Sequence, residues 1–270
     1  MRGGRPAIDA DAALLEDLGV ALAAADAAAA VTLAWFGDRL PFELKADATP
    51  VTEVDRAAER AIRSVLAERA PGDGVLGEEG GDTPGDTGRT WVIDPVDGTR
   101  LYAEGIPLWT TLIALRIEGR PVIGVADAPA LSALYHAVRG GGAWRGERRL
   151  QVSAIEALGD AFVGHSPINE WAGAGDDRHL LHVAGRARHT RGLSDAWAHV
   201  LVAQGSMEAL LEHEPCFAWD WSATQVIVEE AGGRISTLQG TDPVPGSNLL
   251  VSNGRVHDTI VAALTKEGTR

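Results

Sequence analysis

Apolar and polar residues along the chain change period several times, and each change marks an element. Residues 9–36 read as one long helix ending near Gly37-Asp38, rich in Ala and almost continuously apolar from Val20 to Phe36. Asp26 in its middle, Glu16 and Asp17 before it, and the low transfer energy of Ala make it an amphipathic helix of a soluble protein rather than a membrane span. Residues 40–54 alternate loosely. Thr52, with Asp55 three positions on, opens a second helix, whose apolar face is expected at Ala57, Ala61, Ile62, Val65 and Leu66. Pro71-Gly72-Asp73-Gly74 is a turn, and Val75-Leu76 a short strand that ends at Gly77-Glu78-Glu79.

Residues 80–90, rich in Gly, Asp and Thr, read as a loop leading into Trp91-Val92-Ile93. A Trp and two β-branched residues make a short buried strand that delivers Asp94 to its end. Pro95 removes a backbone donor, and Asp97 occupies an N-cap position ahead of Gly98-Thr99-Arg100-Leu101-Tyr102. Period-two patterning then predicts strands at 109–117, 121–127 and 133–138, the first two joined by a turn at Gly119-Arg120. A boundary is expected near 148–153.

Beyond it, strands and helices alternate: strand 161–164, helix 176–187, strand 189–193, helix 195–204, strand 209–211, helix 218–230 closing at Gly232-Gly233, strands 234–236 and 249–251, and helix 256–265. The expected fold class is α+β, with strand runs dominating the first half and strands alternating with helices in the second. Residues 1–150 form a mostly antiparallel sheet with long helices, residues 151–270 a smaller α/β part, and there are no internal repeats.

Composition narrows the chemistry. Apolar residues make up 45% and charged residues 23%, as in ordinary globular proteins. A formal net charge of −14 argues against a nucleic-acid or anionic-membrane surface, which needs a basic face, and bound cations are the simplest way to admit an anionic substrate. Cys216 stands alone, which excludes a disulfide framework and a Cys-based zinc site and fits a reducing cytoplasm. Basic residues at the N-terminus are followed by Asp9 and Asp11 before any apolar run, so no signal peptide is read there.

Asp94 and Asp97 flank a turn that aims backbone N–H groups into one small volume, which suits a divalent cation and a phosphate. The plain alternative is a strand end and a helix cap. Spacing excludes two look-alikes: an EF-hand loop would place a ligand at Val96, and phosphatases with Asp-x-Asp-Gly-Thr hold their carboxylates one residue closer. Glu78 ends a neighbouring strand and would stand beside Asp94. Asp220 lies at the N-terminal edge of another helix, where a plain cap is again the alternative. His179 and His182 lack a third ligand and read as surface residues. Neither a nucleophile elbow nor a dinucleotide-binding Gly fingerprint is present.

Taken together, residues 45–55, Gly77-Glu78-Glu79, Asp94-Pro95-Val96-Asp97-Gly98-Thr99, and Trp219-Asp220 followed by Glu229-Glu230-Ala231-Gly232-Gly233 resemble the inositol monophosphatase family, in the family's order and over nearly the whole chain. The resemblance implies a layered αβαβα architecture and a cytoplasmic, dimeric, Mg²⁺-dependent phosphomonoesterase with two or three metal ions per site and sensitivity to lithium. By motif, Glu78, Asp94, the Val96 carbonyl, Asp97 and Asp220 would hold the metals, with Asp94 bridging two of them. Asp55 and Thr99 would orient and help deprotonate the attacking water, and the N–H groups of Gly98 and Thr99 would hold the phosphate. Electrostatics agrees, because two carboxylates about 4 Å apart repel by about 4 kcal/mol at an effective dielectric of 20, so four converging ones call for cations.

Departures bear on the substrate. Leu101 replaces a common Asn, Trp221-Ser222 replaces a pair of small residues, and Glu212-His213-Glu214-Pro215-Cys216 departs from the polyol-binding pattern. Arg191-Gly192-Leu193-Ser194-Asp195 looks more like the histidinol-phosphatase-type branch, so Arg191, Asp195 and Glu212 are the expected specificity residues, Asp195 pairing with a substrate ammonium. Inositol-1-phosphate, a nucleotide 3′-phosphate and a sugar bisphosphate are the alternatives among substrates, and a protein-binding regulator with a vestigial site is the alternative outside catalysis.

Overall fold

A computed structural model describes residues 11–37, 43–44 and 50–265; Lys45 lies outside them. The chain forms two compact units, one of residues 1–149 with 219–227, the other of 150–218 with 228–270. The segment carrying Asp220 therefore belongs with the first.

In the first unit, helix α1 (Ala12–Trp35) starts at Asp11, whose carboxylate accepts from the Ala13 N–H at 2.9 Å. By length and composition α1 could cross a membrane. It is instead a core helix: Leu18, Ala21, Ala24, Ala25 and Ala28 are buried against α2 (Glu53–Arg69) and the sheet. Its faces differ by burial far more than by polarity, since Ala occupies both. Short strands β1 (Glu43–Leu44) and β2 (Pro50–Val51) pair ahead of α2.

Thr52 caps α2 in a capping box with Asp55. The buried line runs Val54, Asp55, Ala58, Glu59, Ile62, Leu66, one position off the expected Ala57 and Ala61. Two carboxylates on that line make the apolar pattern misleading, because both are buried for their hydrogen bonds.

Eight strands form the large sheet: β3 (Gly74–Gly77), β4 (Gly81–Thr83), β5 (Arg89–Asp97), β6 (Thr110–Ile117), β7 (Arg120–Ala128), β8 (Ala133–Val138), β9 (Gly142–Arg145) and β10 (Arg148–Arg149). Their order is β10-β9-β8-β7-β6-β5-β3-β4, with β3 and β5 the parallel pair. Residues 80–90, expected as a loop, contain β4, which folds back on β3. The turn between β6 and β7 falls at Glu118-Gly119 rather than Gly119-Arg120; both have positive φ (51° and 78°), which suits the tight twist of a two-residue hairpin.

Trp91, Ile93, Ile113, Leu115, Ile123 and Val125 face α1 and α2. Trp91 is fully buried, and its indole N–H donates to Asp73 at 3.0 Å. Helix α3 (Thr99–Ala103) follows β5, and its Tyr102 stacks edge-on against Trp109 (5.0 Å) and donates its hydroxyl to the Thr32 carbonyl of α1 at 2.8 Å.

The second unit carries β11 (Phe162–His165), α4 (Ile168–Ala174), α5 (Asp177–Ala184), β12 (His189–Gly192), α6 (Asp195–Ala203), β13 (Ala209–Cys216), β14 (Arg234–Ser236), β15 (Ser247–Ser252) and α8 (His257–Thr265). Its sheet order is β12-β11-β13-β15-β14, parallel across the first three strands. Strand β13 runs five residues beyond the expected 209–211, with a register shift between Glu212 and Cys216. Helix α7 (Ala218–Glu230) contributes its residues 219–227 to the first unit.

Candidate metal centre

Asp94 does not end its strand. Against β6, Asp94 pairs with Leu112 and Asp97 with Thr110, so three steps on β5 match two on β6. This is a one-residue bulge, placed where Pro95 has no N–H to offer the ladder. In a regular strand, residues three apart point to opposite faces; the extra residue cancels that alternation. Carboxylate oxygens of Asp94, Asp97 and Asp220, one from each, accordingly lie within 4.8 Å of one another. The expected cap at Asp97 is displaced by one residue: Gly98, at φ 88°, is the N-cap of α3, in a conformation that costs a residue with a Cβ.

The Asp94 and Asp97 carboxylates are held by neighbours. The Val96 N–H donates to Asp94 Oδ1 at 3.0 Å, and the Thr110 hydroxyl donates to Asp97 Oδ2 at 3.0 Å. Asp220 lies in the first turn of α7. That helix packs directly on the sheet: a Cβ built on Gly124 of β7 would sit 2.0 Å from the Ala223 carbonyl oxygen. Arg116 of β6 also lies over the Trp221 ring at 5.4 Å. Glu78 follows β3, and its N–H donates to Ile93 O at 3.3 Å, which continues the parallel ladder and sets it beside Asp94.

Asp94 is buried, and its carboxyl is pushed well above the usual range, first by loss of solvent and then by the charges of Glu78, Asp97, Asp220 and Asp55. A set of oxygen donors whose charges oppose one another fits a hard divalent cation such as Mg²⁺.

Asp55 is fully buried beside this cluster. Its Oδ1 accepts from the Thr99 hydroxyl at 2.9 Å, and its Oδ2 from the Thr52 N–H at 2.8 Å and from the Thr52 hydroxyl. Burial raises its pKa, and the bonds from Thr52 and Thr99 partly offset the rise. Thr99 also reaches the Val96 carbonyl at 3.0 Å, so one hydroxyl proton serves two acceptors. Sequence reading missed Thr110, Thr111 (which donates to Pro95 O at 2.8 Å) and Glu59, since nothing local marks a Thr on the adjacent strand or a Glu on a helix as a support.

In the second unit, Asp195 and Glu212 are neighbours: the Asp195 N–H donates to Glu212 Oε1 at 2.9 Å, and His199 Nε2 lies 2.8 Å from Glu212 Oε2. Glu212 is 5% exposed. The cap position of α6 is Ser194, not Asp195, and Asp195 itself stands at φ 63°. Arg191 is exposed on β12 and bonds to the carbonyl of Thr190 at 2.8 Å.

Residues 14–269 match the inositol monophosphatase family. The chain belongs to that family. It is 39% identical over 255 residues to a histidinol-phosphatase of Mycobacterium tuberculosis (92% of this chain, 98% of the relative) and 40% identical over 262 residues to that of Streptomyces coelicolor (93% and 98%). The extragenic suppressor protein suhB of Bartonella henselae superposes with a TM-score of 0.86 at 30% identity, covering 93% of this chain and 99% of that one. As a family member the chain is a hydrolase acting on phosphate monoesters. The layered α+β architecture is that of its structural neighbours.

Proposed function

We propose that this enzyme hydrolyses a small cationic phosphate monoester, histidinol phosphate in the first place, at a Mg²⁺ site formed by Glu78, Asp94, Asp97, Asp220 and the Val96 carbonyl. The observation that carries the reading is the convergence of Asp94, Asp97 and Asp220 within 4.8 Å, next to the Asp55–Thr99 pair. When bound, Mg²⁺ lowers the pKa of water, neutralises phosphoryl oxygens and stabilises the leaving alkoxide.

The chain's own groups do the rest. Asp55, with Thr99 bonded to its Oδ1, orients a water and accepts its proton. The N–H groups of Gly98 and Thr99 open α3, where helix N–H groups have no intrahelical acceptor, and are suited to phosphoryl oxygens. Attack in line needs no covalent enzyme intermediate. Asp195, with Glu212 and Arg191, is assigned to recognition of the leaving alcohol, which rests on the sequence resemblance and on the names of the two histidinol-phosphatase relatives.

Two or three Mg²⁺ per site, inhibition by lithium, a homodimer and a cytoplasmic location complete the reading. Phosphate release from purified protein, with and without Mg²⁺, tests it across histidinol phosphate, inositol-1-phosphate, a nucleotide 3′-phosphate and a sugar bisphosphate. Turnover of histidinol phosphate should require Mg²⁺ and exceed the others at least tenfold in kcat/KM. Preference for a neutral polyol phosphate would return inositol-1-phosphate to first place.

A further inference from the structure

Glu59 lies outside the carboxylate cluster, in the second turn of α2, and is only 2% exposed. A buried carboxylate is costly unless its partners compensate, so those partners indicate what it holds. One is Arg63, a turn later on the same helix, with Nε 2.7 Å from Glu59 Oε1. The others are two consecutive backbone groups: the Glu79 N–H donates to Oε2 at 2.8 Å and the Gly80 N–H to Oε1 at 2.8 Å.

These are the peptides immediately after Glu78. With the Glu78 N–H held by Ile93 O at 3.3 Å, three successive backbone donors around that residue are tied down. Arg63 extends the grip, donating to the Gly81 carbonyl at 2.6 Å and the Thr83 hydroxyl at 3.1 Å. Space confirms how closely the helix and loop fit: a Cβ on either Gly77 or Gly80 would lie 2.5 Å from Glu59 Oε1. The Gly-Glu-Glu-Gly run thus combines one candidate ligand with two glycines that admit the Glu59 carboxylate.

We propose that Glu59 is a positioning residue for the metal centre, clamping the loop of residues 78–80 so that the Glu78 carboxylate is preorganised for Mg²⁺. This rests on the reading of Glu78 as a metal ligand. A clamp that served the fold alone would affect melting and leave metal affinity untouched; a positioning residue affects affinity in its own right.

The test is calorimetric titration of the substrate-free protein with Mg²⁺, alongside its melting temperature without metal and kcat at saturating Mg²⁺. Glu59→Gln keeps the shape but turns an amide donor toward one loop N–H, and should weaken Mg²⁺ binding about ten- to a hundred-fold, the range for supports of metal ligands. Its kcat at saturating Mg²⁺ should stay within about threefold of the parent, because Glu59 touches no reacting atom. Gly80→Ala, on the exposed side of the hairpin, dislodges the Glu59 carboxylate without removing a charge, and should weaken Mg²⁺ binding in the same direction. Unchanged Mg²⁺ affinity in both folded variants overturns the proposal, whatever happens to melting. Glu78→Gln separates the two levels. If it weakens binding while Glu59→Gln and Gly80→Ala do not, only the clamp is wrong; if Glu78→Gln binds Mg²⁺ like the parent, Glu78 is no ligand and the clamp falls with it.

Discussion

The Thr99 hydroxyl donates to Asp55 Oδ1 at 2.9 Å across 44 residues of sequence. Two motifs thereby become one device, with Asp55 fixed by the capping box of α2 and Thr99 by the first turn of α3. Replacing Thr99 by Ala frees that oxygen and, on the proposed mechanism, removes one of the two groups that would orient the attacking water. We expect kcat to fall by roughly 10²–10⁴, the usual contribution of positioned acid–base groups, with a much smaller change in KM. Steady-state kinetics at saturating Mg²⁺ decides it; a raised KM with kcat intact would make Thr99 a binding residue only.

Asp94→Asn should abolish hydrolysis yet stabilise the metal-free protein at neutral pH. The sign follows from linkage. Because the folded-state pKa of Asp94 is raised, the native protein holds this proton more tightly than the unfolded chain. Stability from this group is therefore lost as pH rises above the unfolded carboxyl value of about 3.9. In metal-free melts the variant should exceed the parent at pH 7, and the gap should close toward pH 4. A variant less stable than the parent across that range contradicts the electrostatic account.

His257 works in the opposite direction. It is fully buried between Ser252 (Oγ to Nδ1, 2.7 Å) and Ser236 (Oγ to Nε2, 2.9 Å), and burial, reinforced by Arg234, lowers its pKa to about 4. The unfolded chain takes up a proton near pH 6.5 that the native imidazole refuses until about pH 4. Stability is thus lost as pH falls through that window, by about 3 kcal/mol at most. Chemical denaturation at several pH values should show that His257→Gln flattens the slope between pH 6.5 and 4; an unaltered slope would assign it to other groups.

Gly124→Ala probes how α7 delivers Asp220. The added methyl would meet the Ala223 carbonyl oxygen at 2.0 Å, so helix and sheet must part. Overpacking of this kind costs about 1–3 kcal/mol. Melting should fall accordingly and Mg²⁺ affinity should drop with it, since Asp220 rides on the same helix. Loss of stability with full Mg²⁺ affinity would show that α7 shifts without moving its first turn.

Asp195→Asn addresses substrate choice. Asn tolerates the left-handed backbone at φ 63° as well as Asp does, so the change removes the charge without straining the backbone. A charge-assisted hydrogen bond worth roughly 1.5–3 kcal/mol corresponds to about ten- to a hundred-fold in kcat/KM on an amino-alcohol phosphate. A neutral polyol phosphate should be affected little. Equal losses on both would reduce Asp195 to a structural role.

Much of this protein could be read from local sequence. The capping box at Thr52 and Asp55, the buried strand at Trp91-Val92-Ile93, the antiparallel run that follows and the alternation after residue 160 are set by propensity, periodicity and turn chemistry, which act over a few residues. So was the order of acidic motifs that places the chain in its family. Tertiary structure decided what those motifs do to one another. The bulge that turns Asp94 and Asp97 to one side exists only in the register of β5 against β6, and no pattern within β5 announces it. Strand β4 is too polar to be seen alone and forms because β3 offers it an edge. Glu59 looks like half of an i,i+4 surface pair with Arg63, yet it is buried, because the loop of residues 78–80 arrives on that side of α2 with two N–H groups to satisfy. Hydrophobic pattern records where water is excluded along one element; it carries no record of which polar groups another element will bring to the same place.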